Sequence, residues 1–441
     1  MTVVSFREYE PIPVLEKLGH PQEHALSVAE VEALERLGHS LGFTILQHLS
    51  RQRVSPKQFV GSIQLGDRLV EFLPKIESPD KNRPPAVRQN LLQMLLVAHD
   101  LDLSHSTQAD LEHTSGSWLD MLMRYFCQAL SRQVRHGLVK RYRSEEDDLA
   151  VVRGRLLIEE QLTRNLVHQE RLACEYDELD ENHLLNQLFK WVLQRMLRLA
   201  LSERTLQAAR ELLGVFADVD DVRPSSAAVD AYNLDRASER FGFCWQLAKA
   251  FLKGDTTDLF GGTQNSFALL FDMNLLFESY VGKVLRNTLR RHPQHVQLQD
   301  TRFHLVRNSQ NNHRLFQLRP DIVLEHGGQA IAIIDTKWKR LKPEQRKVGV
   351  KSTDLYQMHA YASRYRCNSV LLLYPWDPAS GNTVGERRRF EVEDTSIVIR
   401  VGELDMSDLD QVARQLLALL EDELGSVPDS HIEASGSRPY Q

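Results

Sequence analysis

Asp321, Asp335 and Lys337 are the residues of this 441-residue chain whose types and spacing could do chemistry. They stand in one segment: Phe316-Gln-Leu-Arg-Pro-Asp321-Ile-Val-Leu-Glu325, a His-Gly-Gly turn, then Ala330-Ile-Ala-Ile-Ile-Asp335-Thr-Lys337. Both halves read as strands joined by a tight turn at Gly327-Gly328. The second half is apolar almost without a break up to Asp335, which is the pattern of a central strand buried on both faces. A carboxylate and an ammonium at the end of such a strand cost free energy unless they are paired or bind a metal. Asp335 and Lys337 are two apart, so both side chains leave the same face. Asp321 comes from the neighbouring antiparallel strand and can converge on that face. Two carboxylates with backbone oxygen form a hard, oxygen-only site suited to Mg2+. The ion would stabilise charge on phosphoryl oxygens and polarise an attacking water. Lys337 would position or help deprotonate that water, or stabilise the pentacovalent charge. The chemistry expected of this set is phosphodiester hydrolysis.

Two flanking stretches fit the same site. Glu278 lies in a helix beside the apolar Phe277 and Val281. A carboxylate at the edge of a buried face could reach the metal or its water shell; the plainer reading is a solvated helix glutamate. Downstream, Asp354-Leu-Tyr-Gln357-Met-His-Ala-Tyr361 reads as a helix on which Gln357 and Tyr361 share a face. Gln357 could contact DNA or the scissile phosphate, or be ordinary helix surface. Between strand and helix runs a basic stretch with Lys339, Arg340, Lys342, Arg346 and Lys347. Such a run is commonly a solvated loop, but its place beside the carboxylates suits a phosphate backbone.

The elements that must position these groups follow from periodicity. Residues 1–112 read as a mixed α/β region, with a hairpin from Val60 to Leu73 closed at Gly66-Asp67 and ended by Pro74. Residues 77–87 read as a surface loop, and a helix follows through Leu91, Leu92, Leu95 and Leu96. Residues 113–264 read as mostly helical. Ser117 and Asp120 form a capping-box spacing ahead of Leu119, Leu122, Phe126, Leu130 and Val134. Leu185, Leu188, Val192, Met196 and Leu199 mark a second long helix face, most simply core. Residues 265–425 begin with a helix near 273–291 and then alternate strand and helix signals. Ser407 and Asp410 repeat the capping-box spacing before Val412, Leu416 and Leu420. The tail 426–441 is polar and small and reads as disordered. The fold class expected is α+β and multidomain, with a C-terminal α/β domain on a mixed sheet.

Composition narrows the class further. A hydrophobic share of 42% and a charged share of 26% are those of a globular protein. No run of about 18 apolar residues signals a membrane span, and the first residues lack a signal-peptide pattern. Cys127, Cys174, Cys244 and Cys367 are scattered singly, which argues against a zinc site or disulfide framework and fits a reducing cytoplasm. A net charge of −6 argues against nucleic-acid binding by the whole surface but leaves room for a local basic patch.

With these residues in hand, the chain resembles the nuclease subunits of the McrBC modification-dependent restriction systems, themselves part of the PD-(D/E)xK superfamily. The resemblance runs beyond the Asp321…Asp335-Thr336-Lys337 block. It includes Val54-Ser-Pro-Lys-Gln-Phe-Val60-Gly61, Leu69-Val-Glu-Phe-Leu-Pro74-Lys75-Ile76, Val152-Arg-Gly154-Arg, Cys174-Glu-Tyr-Asp177-Glu, Asn182, Asn186 and Leu276-Phe-Glu278-Ser-Tyr-Val. It implies metal-binding acids at Asp321 and Asp335, the motif lysine at Lys337, and supporting roles for Glu278 and Gln357. It also implies an McrB-like AAA+ GTPase hexamer as partner, contacted by the N-terminal region, and double-stranded DNA as substrate. This chain has no GxxxxGK[ST] phosphate loop, so nucleotide hydrolysis would belong to the partner. Two other readings stand beside this one: a non-catalytic assembly factor that activates an AAA+ motor, and a stand-alone nuclease.

Overall fold

The hairpin read from the sequence forms between Phe59–Leu65 and Arg68–Leu73, with Leu65 paired to Arg68 across the turn. Its strands are almost wholly buried, because further strands flank them on both sides. Thr2–Arg7 lies parallel to Arg68–Leu73, and Ser266–Asp272 lies antiparallel to Phe59–Leu65. This last pairing changes the domain picture. Residues 1–112 and 265–425 read as separate regions, yet one strand from the second completes a sheet of the first. The computed structural model, which describes residues 2–76, 86–99, 117–168, 170–255, 266–341 and 349–425, accordingly divides in two. One unit joins Met1–Trp118 with Thr257–Gln441, and the other is Leu119–Thr256. The loop expected at 77–87 lies almost wholly outside the described residues, and the tail expected at 426–441 lies wholly outside them.

In the first unit, Ser266–Asp272 leads directly into the helix Met273–Thr288, capped where Asp272 accepts a hydrogen bond from Asn274 N–H. This helix packs on Val87–Ala98. A six-stranded mixed sheet follows, in the order His295–Leu298, Ile322–His326, Gln329–Thr336, Ser369–Pro375, Val398–Leu404 and Gly385–Glu391. The middle strands 329–336, 369–375 and 398–404 run parallel, and the outer pairs are antiparallel. The helix Ser352–Tyr365 covers one face through Met358, Tyr361 and Ala362 against Ile333, Val370 and Leu372. On the other face Leu419, from the helix Val412–Leu419, closes over Gly402 and Leu371. Both faces are buried, which explains the unbroken apolar run before Asp335.

Two local expectations change. The stretch from Phe316 to Glu325 is two strands. Arg314–Gln317 pairs with His304–Arg307 in a separate ribbon, and Ile322–His326 joins the main sheet. Pro320, which lies between them, has no backbone donor and interrupts the strand. Near the C-terminus, Asp408 caps the turn Leu409–Gln411 by accepting from Asp410 N–H, in place of the Ser407–Asp410 box. The helix Val412–Leu419 continues from that turn.

The second unit is largely helical, as read, but it also carries a three-stranded antiparallel sheet. Arg141–Leu149 and Leu172–Asp180 pair along their full length, with Arg155–Leu156 on the far edge. The sheet's first strand, RYRSEEDDL, is mostly solvated and has no apolar alternation by which to announce itself. Gly154 leads into the short edge strand at φ 70°, where a Cβ would lie 2.3 Å from the Glu175 carbonyl oxygen. Only glycine permits that approach. The helical core is aromatic: Phe189 contacts Phe126, Phe216 and Phe241 at centroid distances of 6.3, 6.4 and 5.6 Å. The expected face Leu185, Leu188, Val192, Met196 and Leu199 is buried here on the helix Leu184–Leu199. Asp120 is fully buried on the helix Trp118–Val134. Its carboxylate accepts from the backbone of Leu201 and Ser202 and from the hydroxyls of Ser202 and Thr205, holding the entry to the helix Glu203–Val215.

Among the described residues no helix is long and apolar enough to cross a membrane. The four cysteines are free and buried. Because Phe189 is the hub of the second unit's core, Phe189→Ala should destabilise that unit by about 3–5 kcal/mol, measured by urea unfolding followed by circular dichroism.

Candidate functional site

Gly327 and Gly328, at φ 59° and 78°, close the turn between Ile322–His326 and Gln329–Thr336. Positive φ at both central positions gives the turn the twist of the flanking strands. Its register pairs Ile322 with Ile334. One step further along lie Asp321 and Asp335, on opposing strands. The turn thus delivers two carboxylates to the same end of the sheet.

Asp335 is only 1% exposed. Burial, then the neighbouring Asp321 carboxylate, push its pKa up to about 7, against the attraction of Lys337. Its Oδ2 lies 2.5 Å from Lys337 Nζ, yet receives no well-directed hydrogen bond. Asp321 is raised too, by burial, although Oδ2 accepts from Thr336 N–H at 2.7 Å and Thr336 Oγ1 at 2.9 Å. Burial works against the charge of Lys337, but Asp335 and Asp321 carry its pKa above the ordinary lysine value. Lys337 N–H continues the sheet by donating to the Leu373 carbonyl. The three motif residues are therefore brought together, and two carboxylates compete for one ammonium.

Glu278 is half-buried on the helix Met273–Thr288 and accepts from Gln299 Nε2 at 2.8 Å. Its pKa is raised by burial and then by Asp321, so it belongs to the same electrostatic neighbourhood. Gln357 donates to Tyr361 Oη at 2.8 Å, and that hydroxyl donates to the Arg319 carbonyl at 3.1 Å. Asp335 and Asp321 both act on the Tyr361 hydroxyl, whose pKa burial raises first. The shared face expected for Gln357 and Tyr361 thus lies beside the carboxylates.

The basic stretch behaves differently. Lys339 Nζ is held by Asp354 at 2.6 Å, and Arg340 binds Asp377 at 2.9 Å and the Lys75 carbonyl at 3.1 Å. Their charges are matched within the fold, which speaks against both as ready phosphate ligands. Lys342, Arg346 and Lys347 lie outside the described residues.

Sequence reasoning missed Thr336, Asp354 and Glu8. Thr336 had a signal, since a hydroxyl between Asp335 and Lys337 can satisfy a neighbouring carboxylate. Glu8 had none. It is fully buried and accepts from Trp338 Nε1 at 2.9 and 3.2 Å, 330 positions away, and from Lys75 N–H. Burial pushes its pKa up to about 7. Trp338 also packs on Phe277 at a centroid distance of 5.2 Å. The residue after Lys337 is therefore pinned by the N-terminal sheet on one side and the Glu278 helix on the other.

Among the described residues no three His, Cys, Asp or Glu side chains group closely enough to hold a metal alone. Magnesium typically takes one or two carboxylates and fills its remaining positions with water and phosphate oxygens. Asp321 and Asp335, with one buried oxygen lacking a directed donor, fit that requirement. Native Asp335 keeps to about pH 7 a proton that the unfolded chain releases near 3.8, so metal-free stability falls as pH rises through that window. Asp335→Asn should raise the metal-free melting temperature by at least about 2 °C at pH 8 and leave it unchanged near pH 4, by calorimetry.

The family model for the McrBC 5-methylcytosine restriction system component matches residues 54–375. The refined half-complex from the tetradecameric assembly of Thermococcus gammatolerans McrB AAA+ hexamers with bound McrC contains a chain of similar fold. The TM-score is 0.71 at 16% identity, covering 96% of this chain and 100% of that one. The cryo-EM structure of the Thermococcus gammatolerans McrBC complex is similar at a TM-score of 0.51 and 19% identity, over 65% of this chain and 88% of that one. No curated protein matches the chain significantly. The matched span exceeds half of the sequence and includes the hairpin, the Gly154 strand and all three motif residues: the chain belongs to the McrBC restriction-system family.

Proposed function

We propose that this chain is the McrC-like, PD-(D/E)xK-type nuclease subunit of a restriction complex, cutting DNA by magnesium-dependent phosphodiester hydrolysis. The observation that carries the reading is the meeting of Asp321, Asp335 and Lys337 at the end of a buried strand pair. Evolution of a structural role alone gives no reason to bury two mutually repelling carboxylates there.

Asp321 and Asp335 would hold the ion, which would neutralise charge on the phosphoryl oxygens and acidify an attacking water. Thr336 fixes Asp321 by two hydrogen bonds, leaving its second oxygen for the ion. Lys337 would offer its ammonium to the phosphate and offset developing negative charge. Glu278 and Gln357 with Tyr361 border the place where the phosphate and its water would sit. The raised pKa of Asp335 means that loading must release a proton, so magnesium affinity should weaken as pH falls below about 7.

The partner would be an McrB-like AAA+ GTPase hexamer, whose nucleotide hydrolysis the chain stimulates. One solved structure of similar fold is described as McrB AAA+ hexamers with bound McrC. Support from this chain lies in the second unit, where Tyr142, Val151, Ile158, Leu162, Leu166 and Val167 are all exposed, the last at 85%. Apolar surface of that kind marks protein contact. It favours this sheet and its neighbouring helix as the docking surface over the residues 1–112 expected from the sequence.

Two experiments separate a nuclease from a non-catalytic activator. In the reconstituted complex, Asp335→Ala and Lys337→Ala should each slow cutting at least about a hundredfold, with partner stimulation intact. Chelating magnesium should do the same, and cutting that survives these changes would refute the site. Leu166→Asp with Val167→Asp should instead abolish stimulation of nucleotide hydrolysis without changing the melting temperature.

A further inference from the structure

Residues 301–320 contain Arg302, Arg307, Arg314 and Arg319 and no Asp or Glu, in a chain whose net charge is −6. Within them His304–Arg307 and Arg314–Gln317 form a two-stranded antiparallel ribbon, separate from the six-stranded sheet. Its base is anchored. Arg302 bridges Asp300 and Glu325, Phe303 meets Tyr365 edge-on at 4.7 Å, Arg364 Nε donates to the His304 carbonyl, and Leu318 is buried in the sheet's core. The remainder points outward, and its tip is rich in amides: Asn308, Gln310, Asn311 and Asn312.

The register places Arg307 directly opposite Arg314. Both are exposed, and neither has an ion-pair partner among the described residues. Like charges directly opposite on a ribbon destabilise it. Where the base arginine is matched by two carboxylates, these two are matched by none. A polyanion would turn this repulsion into attraction. A two-stranded ribbon also has the width of the DNA major groove, and Asn and Gln side chains can read base edges there. The second strand runs on through Arg319 and Pro320 straight into Asp321. The exposed Leu305, Val306, Leu315 and Phe316 would also suit a second copy of this chain. Symmetric apposition of two unmatched arginine pairs would be repulsive, which favours DNA.

We propose that the ribbon His304–Gln317 is the DNA-docking element of the site. It enters a groove of the duplex with Arg307 and Arg314 on backbone phosphates, and so sets the phosphate to be cut against Asp321 and Asp335. This rests on the nuclease reading, but its test does not need cutting.

The test uses the full chain in an Asp335→Asn background and a short DNA duplex, with dissociation constants measured across a salt series. Arg307→Ala with Arg314→Ala should weaken binding by roughly 10-fold or more and reduce the slope of log affinity on log salt by about 2. Arg307→Lys with Arg314→Lys should restore most of that slope, and neither pair should lower the melting temperature. An unchanged salt slope overturns the proposal. So does a changed oligomeric state with DNA binding intact, which would assign the ribbon to contact between copies. A nuclease reading that fails, because wild-type complex does not cut, leaves the salt-slope result standing by itself.

Discussion

Asp321 and Asp335 lie on opposing strands just past the last buried pair of a ribbon that is apolar to its end. Each would be ionised in water. Here burial disfavours both charges and each carboxylate disfavours the other, while one ammonium, that of Lys337, lies against Asp335. Above about pH 7, where Asp335 gives up its proton, a group of net charge minus one is thus held in a place that water reaches poorly. Packing of the surrounding strands supplies the stability that makes this tolerable. On the proposed reading, a divalent cation would relieve it by meeting both carboxylates and leaving the lysine for substrate.

The rest of the first unit keeps that end of the sheet in place. Thr336 holds Asp321 from within the motif. Glu8 holds Trp338, and the Lys75 carbonyl and Asp377 hold Arg340, so the backbone leaving the motif is tied to the N-terminal sheet. That sheet is itself completed by Ser266–Asp272, the strand leading into the Glu278 helix. The N-terminal residues are consequently part of the scaffold for the carboxylate pair. The second unit is built on different terms, with an aromatic helical core and a solvated sheet bearing apolar surface.

The parts that were legible in the amino-acid order are local ones. Gly327-Gly328 specified a turn because only glycine accepts two successive positive φ angles cheaply. The two-residue spacing of Asp335 and Lys337 specified a common face, and the spacing of Leu185, Leu188, Val192, Met196 and Leu199 specified a buried helix stripe. Each of these depends on the geometry of a few consecutive residues. The acidic strand Arg141–Leu149 was illegible for the same reason, since a strand solvated on both faces has no alternation to detect.

What the chain could not announce is who answers each charge. Lys339, Arg340, Arg307 and Arg314 look alike in the sequence. Folding brings Asp354 and Asp377 to the first two and leaves the other two facing each other. Glu8 meets Trp338 across 330 positions, and Ser266–Asp272 pairs with the strand Phe59–Leu65 about two hundred residues earlier. Side-chain period and turn chemistry are short-range and survive in one dimension; desolvation and charge pairing depend on distance in space, and only the closed tertiary structure sets that distance.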